Sequence, residues 1–326
     1  MISKEIQNFI HNEISFLQGE RILITGGTGS FGQAFVRRIL KEHPASIIIF
    51  SRHEDDQWEM AQRVSSPVVR YVIGDVRDRD SIDRAFRGVD YVIHAAALKH
   101  VATGEEQPEE AKKTNIDGAC NIIRAAIDQN VKKVLCVSSD KAVNPVSLYG
   151  ATKLVADKLF IGANRLGGPI FSVIRFGNFW DSHGSVVKIF RKYKEDGLGY
   201  LPVHDRRMTR FHITLERAAE LALQAFKQAR RGGEIFSPKM SSYSLLRLAH
   251  SVYPEAEIRE TGKPVGAKLH EDLVVPNDAD RTWEYDDFYV TYPRQIMSGQ
   301  GKGKKVPKQF WYSSDKNTEW LKDFKS

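Results

Sequence analysis

The sequence predicts an α/β fold: a doubly wound, mostly parallel sheet with a smaller substrate-side domain built from non-contiguous pieces. Three observations predict it. Short apolar runs alternate with helical stretches from Arg21 onward, a glycine-rich turn joins the first run to the first such stretch, and the alternation loosens after about residue 178. Apolar strands separated by helical crossovers pair in parallel and are covered on both faces.

Taken in order, Ile2, Ile6, Phe9, Ile10, Ile14 and Leu17 recur at helical spacing and stop at Gly19, which predicts an amphipathic N-terminal helix. It is a candidate subunit contact, and a homo-oligomer is expected. Strands are predicted at Arg21–Thr25, Ser46–Phe50, Val68–Ile73, Tyr91–His94, Lys133–Val137 and Ile170–Arg175. Between the first two lies a helix, Phe31–Lys41, with Phe31, Ala34, Phe35 and Ile39 on one face. Further on, a helix at Leu215–Ala229 precedes a strand at Glu234–Phe236. The expected plan is residues 1–19 as the helix, 20–178 with about 213–238 as a cofactor-binding domain, and about 179–212 with 239–326 as the substrate side. Residues 298–305, rich in glycine and lysine, read as a solvated basic loop.

A hydrophobic share of 41% against 27% charged residues excludes a disordered chain. The net charge of +7 favours anionic ligands without choosing among them. The basic stretch lacks interleaved aromatics, so no nucleic-acid partner is expected. Cys120 and Cys136 have neither metal-ligand nor disulfide-framework spacing, which suggests no metal and a reducing, cytoplasmic setting. Charges at Lys4, Glu5, Glu13 and Glu20 interrupt any signal-peptide core, and no apolar run approaches the roughly 20 residues that span a bilayer. A soluble protein with no membrane partner is the expectation.

The first strand runs into Gly26-Gly27-Thr28-Gly29-Ser30-Phe31-Gly32 and then straight into a helix. Glycines at such spacing give a tight turn, close backbone approach to a pyrophosphate, and close helix–strand packing. The helix N-terminus offers free N–H groups to phosphates. A lone triplet would be weak; between a first strand and a helix it predicts a Rossmann-type dinucleotide site. Gln33 after Gly32 excludes the Gly-Lys-Ser/Thr ending of a Walker loop. The second strand is followed by Ser51-Arg52, where a carboxylate would suit NAD; arginine suits the 2′-phosphate of NADP. NADP is therefore the expected cofactor. Asp75-Val76 is a candidate for the adenine edge, and Ala95-Ala96-Ala97 for close approach of the cofactor.

The fifth strand leads to Ser138-Ser139-Asp140-Lys141, then Asn144-Pro145, then a helix carrying Tyr149 and Lys153. Tyr and Lys four apart share a helix face, and the cation favours phenolate, so the tyrosine can exchange protons with a substrate hydroxyl. The spacing alone is common; its place after the fifth strand is what makes it a catalytic candidate.

Thr25–Gly32, His94–His100, Ser138–Val143 and Tyr149–Lys153 together resemble the extended short-chain dehydrogenase/reductase superfamily. Within it, Ser-Asp-Lys-Ala, Asn-Pro and Leu-Tyr-Gly-Ala-Thr-Lys resemble the inverting UDP-N-acetylglucosamine 4,6-dehydratases of pseudaminic acid synthesis. The likeness continues through Arg175–Asn178, Met208–Phe211 and Lys268–Glu271. It implies that Tyr149, helped by Lys153 and Ser139, takes the 4-hydroxyl proton, that Lys141 is the base at C5, and that Asp140 is the acid at the departing 6-hydroxyl. Burial is expected to lower the Lys141 pKa and raise that of Asp140. Lys99 and Asn178 match positions that meet the substrate, and Arg210 and Lys268 are candidates for its diphosphate. Two departures stand out: His183 and Pro264 occupy places where the resemblance leads one to expect arginines. A dehydratase for a GDP- or CDP-hexose, a 4-epimerase lacking need of the Asp140–Lys141 pair, and a non-enzymatic NADP sensor are the alternatives.

Overall fold

The computed structural model describes residues 15–182, 184–294 and 303–324. The N-terminal helix through Ile14 and His183 therefore lie outside the described residues.

Six strands build the first half: β1 (Arg21–Thr25), β2 (Ser46–Ser51), β3 (Val69–Ile73), β4 (Tyr91–His94), β5 (Lys133–Ser139) and β6 (Ile170–Phe176). They pair in parallel in the order β3-β2-β1-β4-β5-β6, the arrangement of a Rossmann-type sheet. Strand β7 (Asn178–Phe179), β8 (Tyr200–Val203) and β9 (Thr209–Ile213) follow, and β10 (Ile235–Pro238) adds in parallel to β6.

Alternation along each strand decides which face a residue covers. Ile22 and Ile24 join Phe31, Phe35 and Ile39 of helix α1 (Ser30–Ile39) in one core, together with Leu221 and Phe226. Leu23, between them, faces a second core with Ile82, Ile122 and Phe160. The sheet is thus buried on both sides. A third apolar cluster, with Trp180, Phe190, Leu201 and Leu248, stabilises the substrate side.

The sheet extends further than the sequence patterning indicates. Beyond β11 (Ser241–Ser244), β12 (Glu257–Glu260) and β13 (Asp272–Val274), strands β14 (Thr282–Glu284), β15 (Phe288–Thr291) and β16 (Lys304–Lys305) join β10 as an antiparallel edge of a ten-stranded sheet. This corrects the placement of all of 239–326 on the substrate side. Phe288 and Val290 point into the main core, and the intervening turn closes the pairing of Glu284 with Tyr289. Of the loop expected at 298–305, residues 298–302 lie outside the described residues; at its end the expectation is corrected, since Lys304 and Lys305 pair with Glu284 and Trp283, and the Lys305 ammonium lies 5.3 Å from the Trp283 ring centre. Among the described residues no helix is long and apolar enough to cross a membrane, and no cluster of His, Cys, Asp or Glu could hold a metal ion.

Candidate active site

Parallel strands place their following turns at one end of the sheet, and the predicted residues gather there. Gly26 adopts φ +66°, and a Cβ on it would stand 2.8 Å from the Ala96 Cα, so neither the turn nor the neighbouring strand end tolerates a side chain. At Gly32 a Cβ would stand 2.5 Å from the Gly27 carbonyl oxygen, which presses α1 onto the turn. Gly29 caps α1 without any side-chain hydrogen bond, so the first-turn amides, with those of Ser30 and Phe31, are left for an anion. The Phe31 ring itself is turned into the core, stacked 5.7 Å from Phe35 and 5.8 Å from Phe179. The Thr28 carbonyl accepts the Gln33 side-chain amide at 2.7 Å, which fixes the loop. Ala95 donates its N–H to Thr25 at 3.1 Å, so Ala95, Ala96 and Ala97 leave β4 alongside the glycine turn. These small residues and open amides fit a nicotinamide dinucleotide.

At the end of β2, Ser51 is buried and its hydroxyl accepts from Gln57 at 2.9 Å. Arg52 is exposed, 3.8 Å from the Asp75 carboxylate. Asp75 is gripped by Arg77 at 2.7 Å. Although burial opposes its charge, Arg77 holds the Asp75 carboxyl below the usual carboxylate range. Val76 is buried, its side chain 2.9 Å from where a Cβ on Gly118 would stand.

Strand β5 delivers the chemical cluster. Ser139 ends the strand, and its hydroxyl donates to Asp140 at 2.8 Å while accepting the Lys141 N–H at 3.2 Å. The Lys141 ammonium donates to Asp140 at 3.1 Å and to Asn178 at 3.2 Å. Tyr149 and Lys153 lie on the helix Leu148–Ala163, whose N-terminus Ser147 caps with a 3.1 Å bond to Gly150. Gly150 is required there, since a Cβ would meet the Lys141 carbonyl at 2.3 Å. Lys153 is buried and donates to the Val137 carbonyl at 2.9 Å. Burial disfavours its charge, but Cys136, Tyr149 and Asp157 together leave its pKa raised.

Asp140 is fully buried, and desolvation raises its pKa, as expected for an acid. Lys141 departs from expectation. Burial would lower its pKa, yet Asp140 and a second carboxylate, Glu271, outweigh that effect and raise it. Two nearby anions favour the ammonium more than desolvation opposes it.

Two other expectations change. Arg210 and Lys268 do not present free cations to a diphosphate. Arg210 donates to the carbonyls of Thr209, Leu269 and Lys268, and Lys268 donates to those of Val143 and Asp140. Both also face Glu271, each at 3.7 Å. Arg206 and Arg207 are paired with Glu260 and Asp205. Lys99 lies on the loop after β4, where partial desolvation of its ammonium by the surrounding protein lowers its pKa. Glu271 is the residue that sequence reasoning left without a role; its only signal was its place at the end of Lys-Leu-His-Glu.

A parallel sheet with a glycine turn at its first strand, and a Tyr149–Lys153 helix after its fifth, is the build of an extended short-chain dehydrogenase/reductase that binds a nicotinamide dinucleotide. The chain belongs to the polysaccharide biosynthesis protein family, whose model matches residues 22–293. It is 45% identical to an inverting UDP-N-acetylglucosamine 4,6-dehydratase of Campylobacter jejuni, over 94% of this chain and 95% of that protein. A UDP-glucose 4-epimerase of Rickettsia akari is 38% identical over 86% of this chain and 87% of its own length. Among solved structures, Pen from Bacillus thuringiensis superposes with a TM-score of 0.87 at 35% identity, covering 93% of this chain and 94% of that one. The dTDP-glucose 4,6-dehydratase DesIV of Streptomyces venezuelae, solved with NAD and TYD bound, gives 0.70 at 25% identity, covering 76% and 86%.

Proposed function

We propose that the protein is an NADP-dependent 4,6-dehydratase that converts UDP-N-acetylglucosamine to a 4-keto-6-deoxy sugar with inversion at C5. The observation that carries this reading is the pairing of buried Asp140 with half-buried Lys141, 3.1 Å apart, on the turn that precedes Tyr149. The 45% identity to an inverting dehydratase supports the same substrate.

The dinucleotide, when bound, supplies hydride acceptance at C4 and hydride return at C6. The protein's own groups manage protons. Tyr149, beside the Lys153 cation, receives the proton of the 4-hydroxyl. The resulting 4-ketone acidifies C5–H. A neutral Lys141 removes that proton while a protonated Asp140 donates to the departing 6-hydroxyl. Neutral lysine with protonated aspartate carries the same number of protons as the ion pair, so one internal transfer along the 3.1 Å bond arms both groups. The raised Lys141 pKa makes the ion pair the resting form, and the neutral pair is reached from it by that transfer. Ser139 then acts by orienting Asp140, its 2.8 Å acceptor, and Asn178 by orienting Lys141. Lys99 remains a candidate substrate contact. Arg52 supports NADP over NAD.

The test is turnover of UDP-N-acetylglucosamine in heavy water. Loss of one water with deuterium at C5 is the expected outcome. A mass-neutral change at C4 would establish the epimerase reading, which the Rickettsia relative favours.

A further inference from the structure

The buried cluster contains one carboxylate more than the elimination uses. Glu271 is 2% exposed and reaches the Lys141 ammonium at 3.5 Å, the Arg210 guanidinium at 3.7 Å and the Lys268 ammonium at 3.7 Å. Its backbone is pinned independently: the Glu271 N–H donates to the Ser314 hydroxyl at 2.9 Å, and the Ser314 N–H donates to the Glu271 carbonyl at 2.8 Å. The side chain is therefore held in place by the protein frame and not by the cations alone. Its Oε2 accepts no hydrogen bond among the described residues, and neither does Asp140 Oδ2. Burying an incompletely bonded carboxylate is costly, so its charge has to act on something. The group it can act on is Lys141, which lies between the two carboxylates.

We propose that Glu271 is a positioning residue whose negative charge keeps one shared proton on the Asp140–Lys141 pair. The inference rests on the dehydratase reading above. Elimination needs the pair to hold one proton. In the reactive form that proton sits on Asp140 and Lys141 is neutral. As the C5–H bond breaks, Lys141 gains the C5 proton; its electron pair forms the C5–C6 double bond; the C6–O bond breaks, and Asp140 gives its proton to the departing oxygen as water forms. The pair ends as ammonium and carboxylate, still with one proton. Should the pair lose that proton beforehand, Asp140 has nothing to donate.

The other groups facing the pair are Ser139 at the end of β5, Tyr149 on the following helix, Asn178, Arg210 on β9, Tyr243 on β11, and Lys268. Tyr243 stays neutral because burial raises its pKa. Arg210 and Lys268 are cations that promote proton loss from the pair. Glu271 opposes them. Without its charge, Asp140 alone would face three cations, and the pair would release its proton at lower pH.

The full-length variant Glu271→Gln tests this with two readouts. In the protein without substrate, the Lys141 side-chain carbon resonance, assigned with Lys141→Arg, should begin to titrate at lower pH than in the unaltered protein, where the raised Lys141 pKa keeps the ammonium intact to higher pH. With UDP-N-acetylglucosamine in heavy water, the alkaline limb of C5 deuterium incorporation should move to lower pH by a similar step. The pH profile of C4 oxidation should stay where it is. An unmoved Lys141 titration, or a rate lowered equally at every pH, overturns the proposal. If the glutamine variant does not fold, Glu271→Asp serves instead: its retracted carboxylate should give a smaller shift in the same direction, and no shift overturns the assignment. Should the unaltered protein release no water from the sugar, the dehydratase reading fails, while the Lys141 titration still decides the role of Glu271.

Discussion

Lys268 fastens the substrate-side segment to the catalytic turn, its ammonium donating to the carbonyl oxygens of Asp140, at 3.4 Å, and Val143. Two of its three N–H donors are thus committed to backbone carbonyls. Its role in the geometry is to hold the turn from Asp140 to Val143 against the 268–271 segment, and with it the position of the acid and base.

Lys268→Met is accordingly expected to weaken the fold more than the affinity for nucleotide. Two carbonyls lose a charged donor in a nearly dry environment, a cost of about 1–3 kcal/mol. Urea unfolding should show that loss, while UDP binding measured by calorimetry should change little. A large fall in UDP affinity with unaltered stability would return Lys268 to the diphosphate.

Redox and elimination should separate by mutation. Asp140→Asn and Lys141→Ala leave Tyr149 and Lys153 in place, so C4 oxidation should persist as transient nicotinamide absorbance while 6-deoxy product nearly vanishes. Tyr149→Phe should abolish both. Undiminished dehydration by Lys141→Ala would show that the C5 base lies elsewhere.

Arg52 stands exposed after β2, 3.8 Å from Asp75, and Asp75 is already gripped by Arg77. The guanidinium can therefore turn to a 2′-phosphate without abandoning a buried partner. Arg52→Ala should weaken NADP binding by about 1.5–3 kcal/mol and leave NAD binding nearly unchanged. Equal affinity of the unaltered protein for the two cofactors removes the basis for the NADP assignment.

His94 supplies a pH dependence of stability. It is 2% exposed, shares a 2.8 Å hydrogen bond with Thr25, and burial followed by the Lys153 charge pushes its pKa down to about 3. The unfolded chain takes up a proton near pH 6.5, which the folded chain refuses until about pH 3. Stability from this group is thus fully present above about pH 6.5 and falls by up to about 1.4 kcal/mol per pH unit below it. His94→Gln should flatten that part of the acid-unfolding curve; an unchanged slope would assign the dependence to other groups.

How far the sequence could be read follows from where information about a residue resides. Strands β1, β2 and β4 are buried almost throughout, so each appears as a short apolar run, and the glycines of the first turn fall within one seven-residue stretch. Tyr149, Lys153, Asp140 and Lys141 all lie within one strand–turn–helix unit, and their grouping survives translation into a linear pattern. Glu271 does not, because it meets Lys141 from 130 residues away, and its meaning comes from that encounter. The same holds for Arg210 and Lys268, whose charge marked them as anion ligands although their donors are turned to backbone carbonyls. Strands β14 and β15 were obscured for another reason: short, aromatic-rich strands carry a weak period, and only the pairing of β15 with β10 and of β14 with β15 shows their place.

With those cations turned inward, position 264 offers the sharpest test of substrate identity. Pro264 is exposed on the turn whose Gly266 packs so tightly that a Cβ would stand 2.8 Å from Ser147, the cap of the Tyr149 helix. A cation at position 264 would therefore project from a turn fixed beside the site, and proline contributes no donor there. Arginine binds phosphate oxygens through two parallel donors, an interaction worth about 1.5–3 kcal/mol for a charged pair. Pro264→Arg is expected to tighten UDP about tenfold or more in calorimetry, a gain that salt should erode, and to raise turnover of UDP-N-acetylglucosamine at low substrate. Proline's fixed φ is lost at the same time, so a Pro264→Ala control measures the effect of loosening the turn alone. The unaltered protein should bind UDP in preference to GDP or CDP. Should GDP or CDP bind far more tightly, the substrate is a different nucleotide sugar, and the acid–base pair at Asp140 and Lys141 would then serve the same elimination on another hexose.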